Sequence, residues 1–133
     1  MYTNILAALD LKEDGYSEYV LDAAIKHGMQ GSSTVHLLSV ATNGGTDDLQ
    51  SQLADFCKNH PNNTDVVINQ FVDEGKPVER ILHWAEETKA DLIVIAIHKE
   101  QTNYLGKSSA SLGTVPAMIA VNAKAHVLIV KPH

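Results

Sequence analysis

Five short apolar runs, spaced along 133 residues, constrain this chain more than any other feature. They are NILAALD (Asn4–Asp10), TVHLLSV (Thr34–Val40), DVVINQFV (Asp65–Val72), DLIVIAI (Asp91–Ile97) and HVLIVKP (His126–Pro132). The first and fourth are almost continuously apolar, which is how a strand reads when helices cover both faces of its sheet. Between the runs the apolar spacing changes to that of helices. Val20, Leu21, Ala24 and Ile25 mark the first, closed by Gly28 and Gly31; Leu49, Leu53 and Phe56 mark the second. The third carries Val78, Ile81, Leu82 and Ala85 behind Pro77, and a fourth is expected over about Leu112–Asn122. Strands alternating with helices of this length predict an open parallel α/β sheet with helices on both faces. DLIVIAI, the most apolar run, is expected at its centre. There is no repeat or linker, so residues 1–133 read as one domain.

Charge and cysteine content narrow the setting. A formal net charge of −6 with scattered basic residues argues against a nucleic-acid partner. No run approaches the roughly twenty apolar residues that span a bilayer, so no membrane partner is expected. MYTNILAALD enters a strand directly, without the basic segment or cleavage site of a secretory signal. Cys57 stands alone and cannot form an intrachain disulfide, and a reducing cytoplasm is the expected location.

Open parallel sheets bind ligands beyond the carboxyl ends of their strands, where the strand order reverses. That rule selects Asp10, the segment Val40–Thr42 and the loop from Ile97. Asp10 can accept a hydrogen bond from a ligand or cap the turn behind it, and a strand end does not separate the two. In the last loop, GKSS (Gly106–Ser109) resembles the end of a Walker A loop. The motif also needs a glycine at position 101, which is Gln, and a strand immediately before it, whereas eight residues lie between Ile97 and Gly106. Gly113-Thr114 suits an anion, with a glycine for close approach and a hydroxyl near a helix start, or else a plain helix cap by Thr114. His98 stands at the head of the loop as a phosphate partner, a base or a structural hydrogen-bonding group. Cys57 and His60 have ligand spacing without a second pair, so no metal site is expected. No nucleophile motif or general base is recognisable. No catalytic residue is assigned, and nothing in these residues demands an enzyme.

Taken together, the order and spacing of these pieces resemble the universal stress protein family along the whole chain. NILAALD with Ser17 beyond it resembles the family's opening strand and turn, and STVHLLSV its second strand. EGKPVERIL and AEETKADLIVIAIH resemble its third helix and fourth strand, and GTVPAMIAVNAKAHVLIVKP its ending. The resemblance implies a Rossmann-like, adenine nucleotide alpha hydrolase-like sheet of order 3-2-1-4-5. It also implies a stress-response or signalling role with weak binding of ATP or AMP, and a homodimer through the final edge strand alongside an unidentified protein partner. Nucleotide-binding members carry G-x2-G-x9-G-[ST] after strand four. Here Ala96 and Lys99 replace the two early glycines, His98 keeps the common histidine, and Gly106, Gly113 and Thr114 keep the closing residues after about four extra positions. By this likeness Asp10 and Val40 flank an adenine or ribose. Gly113, Thr114 and the lengthened loop, with Ala96 at its head and Lys107 within it, face phosphates. The loss of both early glycines points equally to the branch of the family that holds no nucleotide and acts through protein contacts.

Overall fold

A computed structural model describes residues 2–12, 16–97, 101–102, 108–109 and 114–131. Its main sheet contains β1 (Asn4–Ala8), β2 (Thr34–Ala41), β3 (Val67–Glu74), β4 (Leu92–Ala96) and β7 (His126–Val130). A separate antiparallel pair is formed by β5 (Gln101–Thr102) and β6 (Ser108–Ser109). The helices are α1 (Tyr16–Gly28), α2 (Thr46–Asn59), α3 (Pro77–Glu87) and α4 (Thr114–Asn122). All pairings in the main sheet are parallel and its order is β3-β2-β1-β4-β7, the expected 3-2-1-4-5 with β7 as the fifth strand.

The apolar runs become strands because a two-sided core absorbs them. Ile5, Ala7, Val35, Leu37, Leu92 and Val94 face Val20, Leu21, Ala24 and Leu53 of α1 and α2. Leu6, Ala8, Leu38, Ile93 and Ile95 face Ile81 of α3 and Ile119 of α4. Alternate residues of one strand thus feed opposite cores, which is why β1 and β4 carry so few polar residues. The centre of the sheet is β1, not β4, which lies one place off with β7 beyond it. Both halves of the sheet grow outward from the first strand, and the apolar character of β4 reflects two covered faces rather than the middle place.

Strand boundaries shift where side chains compete for the backbone. DVVINQFV begins pairing two residues late, at Val67, because Asn62 and Thr64 engage the chain just before it. Asn62 Nδ2 donates to the Val66 carbonyl at 2.7 Å, and the Val66 N–H donates to Thr64 Oγ1 at 3.2 Å. β1 ends at Ala8, with one further bond from the Leu9 N–H to the Leu38 carbonyl at 2.8 Å. Two loops at the carboxyl end of the sheet depend on glycine. Gly44 and Gly45 both take positive φ before α2 (79° and 80°), and Gly75 at φ 138° turns β3 into α3. Pro77 is the first residue of α3, where its missing N–H costs nothing.

Candidate functional site

β2 and β3 lie to one side of β1, while β4 and β7 lie to the other, so the strand order reverses beside β1. A cavity of about 250 Å³ opens there, between the carboxyl ends of β1, β2 and β4. Its floor and sides are aliphatic, from Leu38, Ile81, Ile95 and Val115 among others, and the first turns of α1, α3 and α4 close over it.

On the β1–β2 side the chain is fixed by a short set of hydrogen bonds. Ser39 Oγ donates to the Leu9 carbonyl at 2.9 Å, and Ser17 Oγ, at the start of α1, donates to the Asp10 carbonyl at 3.0 Å. Both serines are buried, and the Ser39 hydroxyl satisfies a Leu9 carbonyl that is itself buried from water. Asp10 Oδ1 accepts the Lys12 N–H at 3.2 Å. The carboxylate therefore does cap the turn, and Asp10 is also among the residues lining the cavity.

Val40 contributes backbone. The Leu38 carbonyl faces β1 and the Ala41 carbonyl faces β3, where it accepts the Gly75 N–H at 2.9 Å. Alternation along the strand turns the Val40 N–H and C=O toward the β1 side. The β1 register has already ended there, at Ala8 opposite Leu38. A donor and an acceptor are thus presented to the cavity beside the Asp10 carboxylate.

The β4 side is different in kind. Ile95, Ala96 and Ile97 line it without side-chain polar atoms, and the Ile97 N–H is occupied by the Val130 carbonyl at 3.0 Å. Ala96 places a methyl group where the early glycine of the motif would leave space. Thr114 is the first residue of α4 rather than its cap and is exposed, while its neighbours Val115 and Pro116 reach the cavity. Ser108 and Ser109 of GKSS pair as a strand with Thr102 and Gln101, and the next helix starts only at Thr114. A Walker A lysine-serine pair opens a helix, so GKSS is not one. His98, Gly106, Lys107 and Gly113 lie outside the described residues.

Sequence reasoning thus named Asp10, Val40 and Ala96, which the fold brings together. It missed Lys12 and Tyr16, which also line the cavity, and the bracing role of Ser39. Only the position of the turn after the first strand could have suggested them. Beside the site, a polar cluster anchors the turn that delivers Pro77. Asp73 Oδ2 accepts Trp84 Nε1 at 2.8 Å and Arg80 Nη1 at 3.2 Å, and Oδ1 accepts the Glu74 N–H at 2.7 Å. Partial burial works against the charged carboxylate, but together these bonds and the Arg80 charge hold Asp73 below the usual carboxylate range. His60 Nδ1 bonds the Phe56 carbonyl at 2.9 Å, an ordinary helix-end contact. Among the described residues no cluster of three or more potential metal ligands occurs.

Known structures share this architecture. The chain is similar to a universal stress protein crystallised in complex with cAMP, at TM-score 0.76 and 23% identity, covering 98% of this chain and 97% of that one. It is similar to a universal stress protein from Archaeoglobus fulgidus, at TM-score 0.73 and 22% identity over 97% and 98% of the two chains. A third, from Lactobacillus plantarum, gives TM-score 0.68 and 19% identity over 97% of each. At such identities the likeness speaks for the fold. The family is carried by the sequence model for the universal stress protein family, which matches residues 1–131, and the chain belongs to that family.

Proposed function

We propose that this protein is a stress-response or signalling domain that binds an adenine nucleotide weakly in the cavity at the carboxyl end of β1, β2 and β4. One observation carries the reading: the cavity places the Asp10 carboxylate and the outward Val40 peptide groups at one rim of an aliphatic slot. A purine needs that combination, with hydrogen bonds along one edge and apolar contact on both faces. A relative of the same fold is described in complex with cAMP, which supports an adenine-type occupant. The phosphate side is the weaker half. Ala96 and Lys99 stand where nucleotide-binding members have glycine, and fewer close backbone donors mean lower affinity for phosphates.

The proposal extends to a cytoplasmic homodimer joined through β7. This edge strand carries Val127, Leu128, Ile129 and Val130, all only half-buried, and the neighbouring α4 exposes Met118 and Val121. An apolar edge of this kind favours pairing with a second copy about a twofold axis. Leu128→Pro should shift the species seen by light scattering from dimer to monomer.

Native mass spectrometry of the purified protein, followed by calorimetric titration with adenosine, AMP and ATP, tests the binding reading. Binding in the micromolar to millimolar range, abolished by Asp10→Ala with the fold intact, is expected. No heat with any of the three at millimolar ligand would transfer the protein to the branch that acts through protein contacts alone.

A further inference from the structure

The turn from β1 to α1 adds something to the cavity that the rest of its lining lacks. Among the described residues that line it, Tyr16, the first residue of α1, is the one aromatic and Lys12 the one cation. Tyr16 is half-buried, and among the described residues neither its ring nor its hydroxyl has a partner. Lys12 is held beside Asp10 by its own N–H bond to the Asp10 carboxylate, while its ammonium is exposed and makes no ion pair among the described residues. Across the cavity, Ile95, Ala96 and Ile97 offer an aliphatic wall.

We infer that Lys12 and Tyr16 form the ligand-reading wall of the site: Tyr16 lies against one face of a planar heterocycle and Lys12 meets a single anionic group, so the preferred ligand is a nucleoside monophosphate rather than a triphosphate. The inference rests on the nucleotide reading above and makes it specific. Aromatic side chains bind bases through their faces at little conformational cost, and an unpartnered ring at a cavity wall is available for it. Size points the same way, since about 250 Å³ falls below the common range of small-molecule pockets. Charge does too. One ammonium can neutralise one phosphate, and in a chain of net charge −6 each added phosphate enters a less favourable field.

Titration calorimetry of adenosine, AMP and ATP into the protein and its Tyr16→Phe, Tyr16→Ala and Lys12→Ala variants tests this. In wild type, AMP should bind at least as tightly as ATP. Tyr16→Phe should keep both adenosine and AMP affinity, while Tyr16→Ala should weaken both by about ten-fold, a usual size for the loss of base stacking. Lys12→Ala should weaken AMP by about five-fold and leave adenosine unchanged, because only the anion is lost. If Tyr16→Ala lacks the native circular dichroism spectrum, Tyr16→Leu replaces it, keeping apolar bulk without the ring. Wild-type binding that the Tyr16 and Lys12 variants leave within about two-fold overturns this assignment alone, as does ATP binding about ten-fold tighter than AMP. Wild type that binds none of the three overturns the nucleotide reading, and this assignment with it.

Discussion

The two ends of β2 bury polar side chains with opposite outcomes. At the carboxyl end Ser39, 2% exposed, donates to the Leu9 carbonyl and so sets the chain that carries Asp10 into the cavity. Toward the amino end His36, 9% exposed, reaches Asn4 Oδ1 only at 3.5 Å, and its Nδ1 has no partner among the described residues. Its ring lies 5.8 Å from Phe71, which in turn lies 4.8 Å from Trp84. One buried polar group is matched and builds the site. The other is packed as though apolar, and its cost falls on stability. The contrast separates a strand end that borders the cavity from one that serves packing.

Leu38 sits between the two and is the side chain whose loss damages both. It is 1% exposed, belongs to the core under α3 and α4, and also lines the cavity. Leu38→Ala should cost about 2–5 kcal/mol in urea denaturation and weaken ligand binding as well. Ser39→Ala should cost less, about 1–3 kcal/mol, because it leaves the Leu9 carbonyl buried without a donor. It should impair binding more than its stability loss suggests, whereas His36→Leu should leave binding intact.

The smallest effect is one of pH. Burial holds the His36 imidazole below its ordinary value of 6.5, so the folded protein takes up its proton less readily than the unfolded chain. The stability that depends on a neutral His36 is full above the unfolded value and declines as pH falls from 6.5 toward the lowered folded value. The slope from this one group cannot exceed about 1.4 kcal/mol per pH unit. Denaturation at pH 7.5 and 5.5 should show wild type losing more stability than His36→Leu over that interval. Equal losses in the two proteins would remove His36 from the account.

Much of the architecture was legible because it follows from periodicity. Short apolar runs such as DLIVIAI, alternating with helical patterns, read as strands covered on both faces, and the spacing of Val78, Ile81, Leu82 and Ala85 marked the inward side of α3. That Asp10 and Val40 would stand together at the carboxyl end of the sheet was legible from their places at strand ends, and both line the cavity there. What escaped was set by side-chain hydrogen bonds at the boundaries: the late start of β3 under Asn62 and Thr64, and the bracing of Leu9 by Ser39. The β5–β6 pairing within a serine-rich stretch carried no strand pattern at all. Tyr16 and Lys12 gave no signal either, because only the folded turn brings them to the same cavity as Ile95.

The central claim is that a ligand sits between Asp10 and the Val40 backbone. Backbone amide chemical shifts followed by NMR during titration of AMP into the wild-type protein test it most directly, since they report the site without mutation. The expected result is a saturable set of shifts centred on Leu9–Lys12, Tyr16 and Val40–Thr42, with the amides of His36 and Asn69 unmoved. Shifts clustered away from the carboxyl ends of β1 and β2, or none at millimolar AMP, would contradict it.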